Sequence, residues 1–193
     1  MLTTIMTNKP GFLVLYPTDT IYGLGVDATD PEAISHLREL KGREDKKPIS
    51  IMVSDMEMME LYAVVTPLAK TLAEKFLPGK LTLVLDAKNL PEELTSGTKT
   101  IGVRMPKHLL CVQLVNQLGK PITATSANVS GKPTGKNPEE ILKQFGDKAD
   151  WITKVYDLGE LPESAPSTVV DARGKVPIVI REGAIPREDI EGV

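Results

Sequence analysis

Short runs of aliphatic and β-branched residues alternate along this chain with segments that carry helix-start chemistry. That alternation restricts the possible folds more than any other feature of the sequence. Residues 12–16 form a continuous apolar run bounded by Pro10-Gly11 and Pro17, which predicts a buried strand. Asp30-Pro31 then supplies an N-cap and a first helical residue, after which Ala33, Ile34, Leu37 and Leu40 share one helical face. The same reading places strands over 49–53, 81–85, 100–105, 121–126, 167–171 and 177–181. It places helices from Thr66-Pro67 to about Phe76, over 106–118 with Gly119 as the stop, and from Asn137-Pro138 towards Phe145. Strands interleaved with helices indicate an α/β sheet rather than a bundle or a sandwich. The last two strands have no helix between them, so the sheet is expected to be mixed. Segments 86–99, 128–136 and 157–166 read as loops, and the middle one combines Gly131, Pro133 and Gly135 with Lys132 and Lys136.

Composition narrows the function classes. The 193 residues suit a single domain spanning 1–193. Aromatic residues are only 4%, so the core must be aliphatic, and a base-stacking platform for single-stranded nucleic acid is disfavoured. The net charge of -3 is no global signature of a nucleic-acid binder, although a local basic site remains open. One cysteine, Cys111, excludes an internal disulfide framework, and its place in an apolar helical stripe predicts a buried small hydrophobe. The histidines, His36 and His108, are far apart and supply no metal site by themselves. His36 reads as a surface residue and His108 as part of a basic rim beside Arg104 and Lys107. The N-terminus lacks the order of a secretory signal, and no apolar run approaches the roughly 20 residues that span a bilayer. The expectation is a soluble protein of a reducing compartment.

Nucleotide motifs are weak. Gly23-Leu-Gly25-Val-Asp-Ala28 matches the relaxed dinucleotide pattern, but the helix-start signal Asp30-Pro31 comes after the motif ends, so no helix N-terminus meets a pyrophosphate there. No lysine that follows a glycine is itself followed by Ser or Thr, so there is no phosphate-binding loop of the G-K-[ST] type. Donors gather at strand ends instead. Thr18-Asp19-Thr20 follows the first strand, Arg104 ends another, and Thr125-Ser126-Ala127-Asn128 ends a third. Ser167-Thr168 opens a late strand, Arg181 closes the last, and Lys41 to Pro48 adds a cationic turn. Taken singly, such residues serve turns and helix ends. Together, at the termini of strands in an open α/β sheet, they predict a crevice for an anionic ligand.

In order, these segments resemble the YrdC/TsaC-like family of threonylcarbamoyl-AMP synthases. The matching pieces are Tyr16-Pro-Thr-Asp-Thr-Ile-Tyr-Gly-Leu-Gly25, Lys41-Gly-Arg43, Lys47-Pro48, Pro78-Gly-Lys-Leu-Thr82, Val103-Arg-Met-Pro106, Thr125-Ser-Ala-Asn-Val-Ser-Gly131, Pro166-Ser-Thr-Val-Val-Asp171 and Arg181-Glu-Gly183. The resemblance implies an open twisted mixed sheet with flanking helices and a deep basic concave cavity. It implies an enzyme that joins ATP, L-threonine and bicarbonate into threonylcarbamoyl-AMP and pyrophosphate, with Mg2+ on the ATP. The product would pass, in the cytoplasm, to the transferase machinery that modifies adenosine 37 of tRNA. On the residues, the resemblance assigns L-threonine to Thr20, Arg104, Ala124 and Ser167. It assigns ATP to Lys41, Arg43, Lys47, Thr100, Ser126, Asn128, Thr134 and Arg181, with Lys41 and Arg43 catalytic and no protein metal ligands. Lys47 and Met52 stand where some members have Asn and His, so those members' contacts do not carry over. The extra C-terminal domain of longer members, and its control of ligand release, is not expected. The alternative from another class is a module of the same fold that binds tRNA or double-stranded RNA without synthase activity, by phosphate contacts that weaken steeply with salt.

Overall fold

A computed structural model of the chain describes residues 3–6, 12–42 and 47–193. The strands are β1 (Thr3–Met6), β2 (Val14–Pro17), β3 (Tyr22–Gly25), β4 (Ser50–Met52), β5 (Leu81–Asp86), β6 (Thr100–Arg104), β7 (Ile122–Ser126), β8 (Lys154–Asp157), β9 (Thr168–Asp171) and β10 (Ile178–Arg181). The helices are α1 (Pro31–Leu40), α2 (Met56–Tyr62), α3 (Pro67–Phe76), α4 (Glu92–Thr95), α5 (Leu109–Leu118), α6 (Pro138–Phe145) and α7 (Arg187–Glu191). A 3-10 turn, Gly146–Trp151, follows α6.

All ten strands join one sheet in the order β1-β8-β2-β3-β7-β4-β6-β5-β9-β10. Its hand of pairing is mixed, as the sequence implies: β2 with β8, β4 with β6 and β5 with β9 run parallel, and the other neighbours run antiparallel. The helix starts follow their caps. Asp30 accepts from the backbone N–H of Glu32 at 2.9 Å and of Ala33 at 3.2 Å, Thr66 from Ala69 at 3.0 Å, and Asn137 from Glu140 at 2.9 Å. Each cap precedes a proline whose missing N–H costs nothing there.

Several elements differ from the sequence reading. The helix expected from Pro106 begins at Leu109, because the Lys107 N–H is taken by Asp19 Oδ2 and the His108 N–H by Pro106 O, which makes 106–108 a separate turn. The supposed loop 86–99 contains α4, with Asn89, Ser96 and Lys99 in left-handed backbone around it. Strands β1, β3 and β8 and helices α2 and α7 were not anticipated. β3 hides its β character behind Gly23 and Gly25, and the others are too short for a periodic signal. The glycines of β3 are steric requirements. A Cβ on Gly25 would run into Ile122 Cγ2 and lie 2.9 Å from the Tyr16 ring, so the pair serves close packing and opens no helix. The first three residues of the rejected dinucleotide motif lie in a strand and open no helix.

The sheet has two unlike faces. Ile51, Leu81, Leu83, Leu85, Ile101 and Val103 point to the larger core, beneath Ile34 and Leu37 of α1, Met59 of α2 and Leu72 of α3. That core is aliphatic apart from a few rings, as the low aromatic content requires. On the other face α5 covers β2 through Cys111, Leu114 and Val115, which pack with Val14, Tyr16, Met52 and Ile122. The rest of that second face is left open by the helices.

Candidate functional site

The open part of the second face forms the floor of a cavity of about 470 Å³. Strand alternation decides which residues reach it: where Ile51, Leu83 and Val103 enter the core, their neighbours must face the other way. Ser50 and Met52 of β4, Thr82 and Val84 of β5, Thr100, Gly102 and Arg104 of β6, Ala124 and Ser126 of β7, and Val169 of β9 therefore line it. The pairings Ser50 with Ala124, Thr82 with Arg104 and Val84 with Gly102 set these side chains in rows. Gly102 keeps the floor open, since a Cβ there would strike Ser50 Oγ and come within 3.2 Å of Thr82 Cγ2. Walls are added by Thr18, Thr20 and Tyr22 from the β2–β3 connection, by Ser164, Pro166 and Ser167 ahead of β9, and by Arg181.

The polar groups are held in place. Thr18 Oγ1 donates to Ile21 O at 2.7 Å and accepts from the N–H groups of Thr20 and Ile21, which closes the turn that presents Thr20. Arg181 Nη2 donates to Ser167 O at 2.8 Å and reaches Ser167 Oγ at 3.3 Å, while Ser167 Oγ pairs with Thr82 Oγ1 at 2.8 Å. Arg104 Nη2 meets Asp19 Oδ1 at 3.2 Å, with side chains only 13% and 8% exposed. Arg104 Nε is buried and has no hydrogen-bond partner. A buried guanidinium N–H without an acceptor is costly by itself, and an arginine with donors to spare in a recess suits an anion such as a carboxylate. Arg104 and Arg181 are the charged residues lining the cavity among the described residues.

The predicted site residues fall into three groups. Thr20, Arg104, Ala124 and Ser167 line the cavity together, and so do Thr100, Ser126 and Arg181. Lys41 and Asn128 lie behind this surface. Lys41, 2% exposed at the end of α1, sends its ammonium to Ser126 O and to Asn128 O, the latter at 2.8 Å. Ser126 Oγ donates to Asn128 Oδ1, and the Asn128 amide holds Val129 O at 3.0 Å and Lys132 O at 2.6 Å. The Lys-to-Asn set is thus a clamp on the corner that follows β7.

Thr134 faces a second cavity of about 470 Å³ that shares Thr20, Ile21, Tyr22 and Ser164 with the first. Lys47 flanks Pro48 at the rim, and its carbonyl accepts from Arg38 and Ser96. Arg43 lies outside the described residues. Sequence reasoning missed Ser50, Thr82, Gly102 and Ser164. For the first three a signal was present: Ser50, Thr82 and Gly102 are small or polar residues set directly beside aliphatic ones in strand-like runs.

The remaining titratable groups do not converge here. Burial lowers the His108 pKa while Asp19 opposes that shift, and His108 Nδ1 is an unpartnered buried atom. Cys111 is buried and its thiol is pushed up to about 12 by burial, as a small hydrophobe would be. His36 is exposed and lies against Trp151 at 4.3 Å between ring centroids. Among the described residues no group of three or more His, Cys, Asp or Glu could hold a metal ion, and no helix is long and apolar enough to cross a membrane. The cavity can therefore offer hydroxyl, amide and guanidinium donors to a multiply anionic ligand, with no acid–base dyad at its centre.

The chain is similar to known proteins over most of its length. The Sua5/YciO/YrdC family model, described as telomere recombination, matches residues 7–183. A threonylcarbamoyl-AMP synthase of Pyrococcus abyssi is 38% identical over 187 residues, covering 96% of this chain and 54% of that protein. A putative threonylcarbamoyl-AMP synthase of Methanocaldococcus jannaschii is 38% identical over 178 residues, covering 91% of this chain and 82% of that protein. The crystal structure of P. abyssi Sua5 complexed with L-threonine is similar with a TM-score of 0.86 at 38% identity, covering 94% of this chain and 53% of that one. The chain spans about half the length of the Pyrococcus relative.

Proposed function

The chain belongs to the Sua5/YciO/YrdC family, and from that premise we propose that it is an L-threonylcarbamoyladenylate synthase. It converts ATP, L-threonine and bicarbonate, by way of CO2, into threonylcarbamoyl-AMP, pyrophosphate and water. One observation carries the reading: Thr20, Arg104, Ala124 and Ser167 share a single cavity with Thr100, Ser126 and Arg181, although they come from distant parts of the chain. An arginine able to fork a carboxylate, beside a cationic and hydroxyl-bearing wall suited to phosphates, supports the reading.

The chemistry then needs positioning more than proton transfer. The neutral amine of L-threonine attacks CO2 and loses a proton, giving a carbamate. A carbamate oxygen attacks the α-phosphorus of ATP and pyrophosphate departs. Both reactants are anions, so the residues must offset repulsion and hold the attack in line. Arg104 holds the carboxylate, and Arg181, tied to Ser167 at 2.8 Å, faces the phosphates. Ser126 Oγ and the corner held by Lys41 and Asn128 shape the phosphate side. Lys47, next to Pro48 at the rim, extends that side, the resemblance adds Arg43 to it, and Thr134 reaches ATP from the adjoining cavity. Mg2+ would bind with the triphosphate and shield phosphate charge there. The product is handed, in the cytoplasm, to the transferase machinery that modifies tRNA. The RNA-module alternative is not favoured: a recess lined by Met52, Val84 and Val169 as well as donors suits a small ligand better than a helical phosphate backbone.

A coupled pyrophosphate assay with each substrate omitted in turn, followed by mass detection of the adenylate, tests the proposal. Pyrophosphate should form only when ATP, L-threonine and bicarbonate are all present. Undiminished release without L-threonine would remove the reading.

A further inference from the structure

Asp19 sits between the two threonines that shape the β2–β3 connection, and its carboxylate is used on both oxygens. Oδ1 accepts from Arg104 Nη2 at 3.2 Å, and Oδ2 accepts from the Lys107 backbone N–H at 3.2 Å. Its carbonyl accepts from Ser164 Oγ at 3.4 Å, and Ser164 in turn receives a hydrogen bond from Lys80 Nζ at 2.7 Å. The carboxylate thus ties the turn after β2 to the end of β6 and to the turn ahead of α5, with a side chain only 8% exposed. The fold does not need a charge there: the 106–108 turn is already closed by the His108 N–H on Pro106 O at 2.9 Å. Arg104 does need one. Its guanidinium is 13% exposed, and Nη2 is engaged by Asp19 while Nε is left buried without a partner.

We propose that Asp19 is a positioning residue that holds the Arg104 guanidinium through Nη2, so that its remaining donors are kept in place for the carboxylate of the amino-acid substrate. The proposal rests on Arg104 being the carboxylate fork of the function proposed above. An arginine samples many rotamers unless something holds it, and each must be surrendered on binding. A second acid beside the fork has the opposite effect through charge, because it repels the incoming carboxylate. The two effects have opposite signs. Charge alone predicts that neutralising Asp19 tightens amino-acid binding, and positioning predicts that it weakens it.

The test is direct titration of L-threonine into the whole chain by calorimetry, alongside KM values for L-threonine and ATP and the melting temperature. Asp19→Asn keeps the shape and removes the charge; the L-threonine Kd should rise about tenfold, equivalent to about 1.4 kcal/mol, with the ATP KM unchanged. Asp19→Glu keeps the charge and displaces the clamp, so its L-threonine Kd should rise too, where a purely electrostatic role predicts no change. Unchanged or tighter L-threonine binding by Asp19→Asn overturns the proposal. So does a parallel loss of L-threonine and ATP binding that tracks a lower melting temperature, since that marks a role in folding only. Failure of the wild-type chain to bind L-threonine is a separate result that removes the reading of the cavity itself.

Discussion

Lys41→Met is the sharpest probe of how the phosphate side is built. Methionine matches the length of the lysine stem, so the aliphatic packing of a residue that is 2% exposed is largely kept. What disappears is an ammonium bonded to Ser126 O and, at 2.8 Å, to Asn128 O. Ser126 O retains the Asn128 N–H at 3.0 Å, so the loss falls mainly on Asn128 O. A buried carbonyl stripped of a charged donor costs about 1–3 kcal/mol. For a chain of this size each kcal/mol corresponds to about 2–4 °C in melting temperature, so a fall of roughly 2–12 °C is expected. The domain should still fold, because single domains hold about 5–15 kcal/mol in reserve. The functional loss should exceed the stability loss. The freed corner lets Ser126 Oγ and Asn128 drift from the geometry proposed to face the phosphates, and small misplacements cost catalysis heavily. Calorimetric melting and the pyrophosphate assay, run on the same preparation with ATP varied, read both quantities. A variant that keeps the wild-type melting temperature and ATP KM would refute the clamp.

Two further outcomes follow from the floor and the rim of the cavity. Gly102→Ala should destabilise by about 1–3 kcal/mol, because its Cβ overlaps Ser50 Oγ. Combining it with Ser50→Gly, which removes that atom, should recover much of the loss in a denaturant double-mutant cycle, and strict additivity would contradict the steric account. For His108, burial lowers the folded pKa below the unfolded value of about 6.5. The unfolded chain then binds more protons in the window below pH 6.5, so this contribution is fully present above that pH and is lost as pH falls through the folded pKa. His108→Gln should flatten the decline in stability between pH 7.5 and pH 5, as measured by urea unfolding at each pH, and an unaltered slope would contradict it.

What the sequence determined was the kind of fold and the ingredients of the site. Asp30, Thr66 and Asn137, each ahead of a proline, cap helices by contacts within a few residues, so the starts of α1, α3 and α6 could be read without the rest of the chain. The aliphatic runs of β2, β5 and β6 and the absence of a helix between the last strands likewise fixed a mixed α/β sheet. Donors at strand ends could be named one by one, because residue type alone shows which side chains can meet an anion. Tertiary structure decided what local patterns do not encode. It set the sheet order that brings β7, distant in sequence, between β3 and β4. It turned Gly23 and Gly25 into a strand through the space that Tyr16 and Ile122 occupy. It made Lys41 a buried clamp rather than an exposed cation, and it set Asp19 against Arg104 across 85 positions of chain. The reason is physical. A helix cap closes over neighbouring peptide groups, whereas a cavity is made by residues that meet only after long loops have closed, and no short stretch of sequence records which of them will meet.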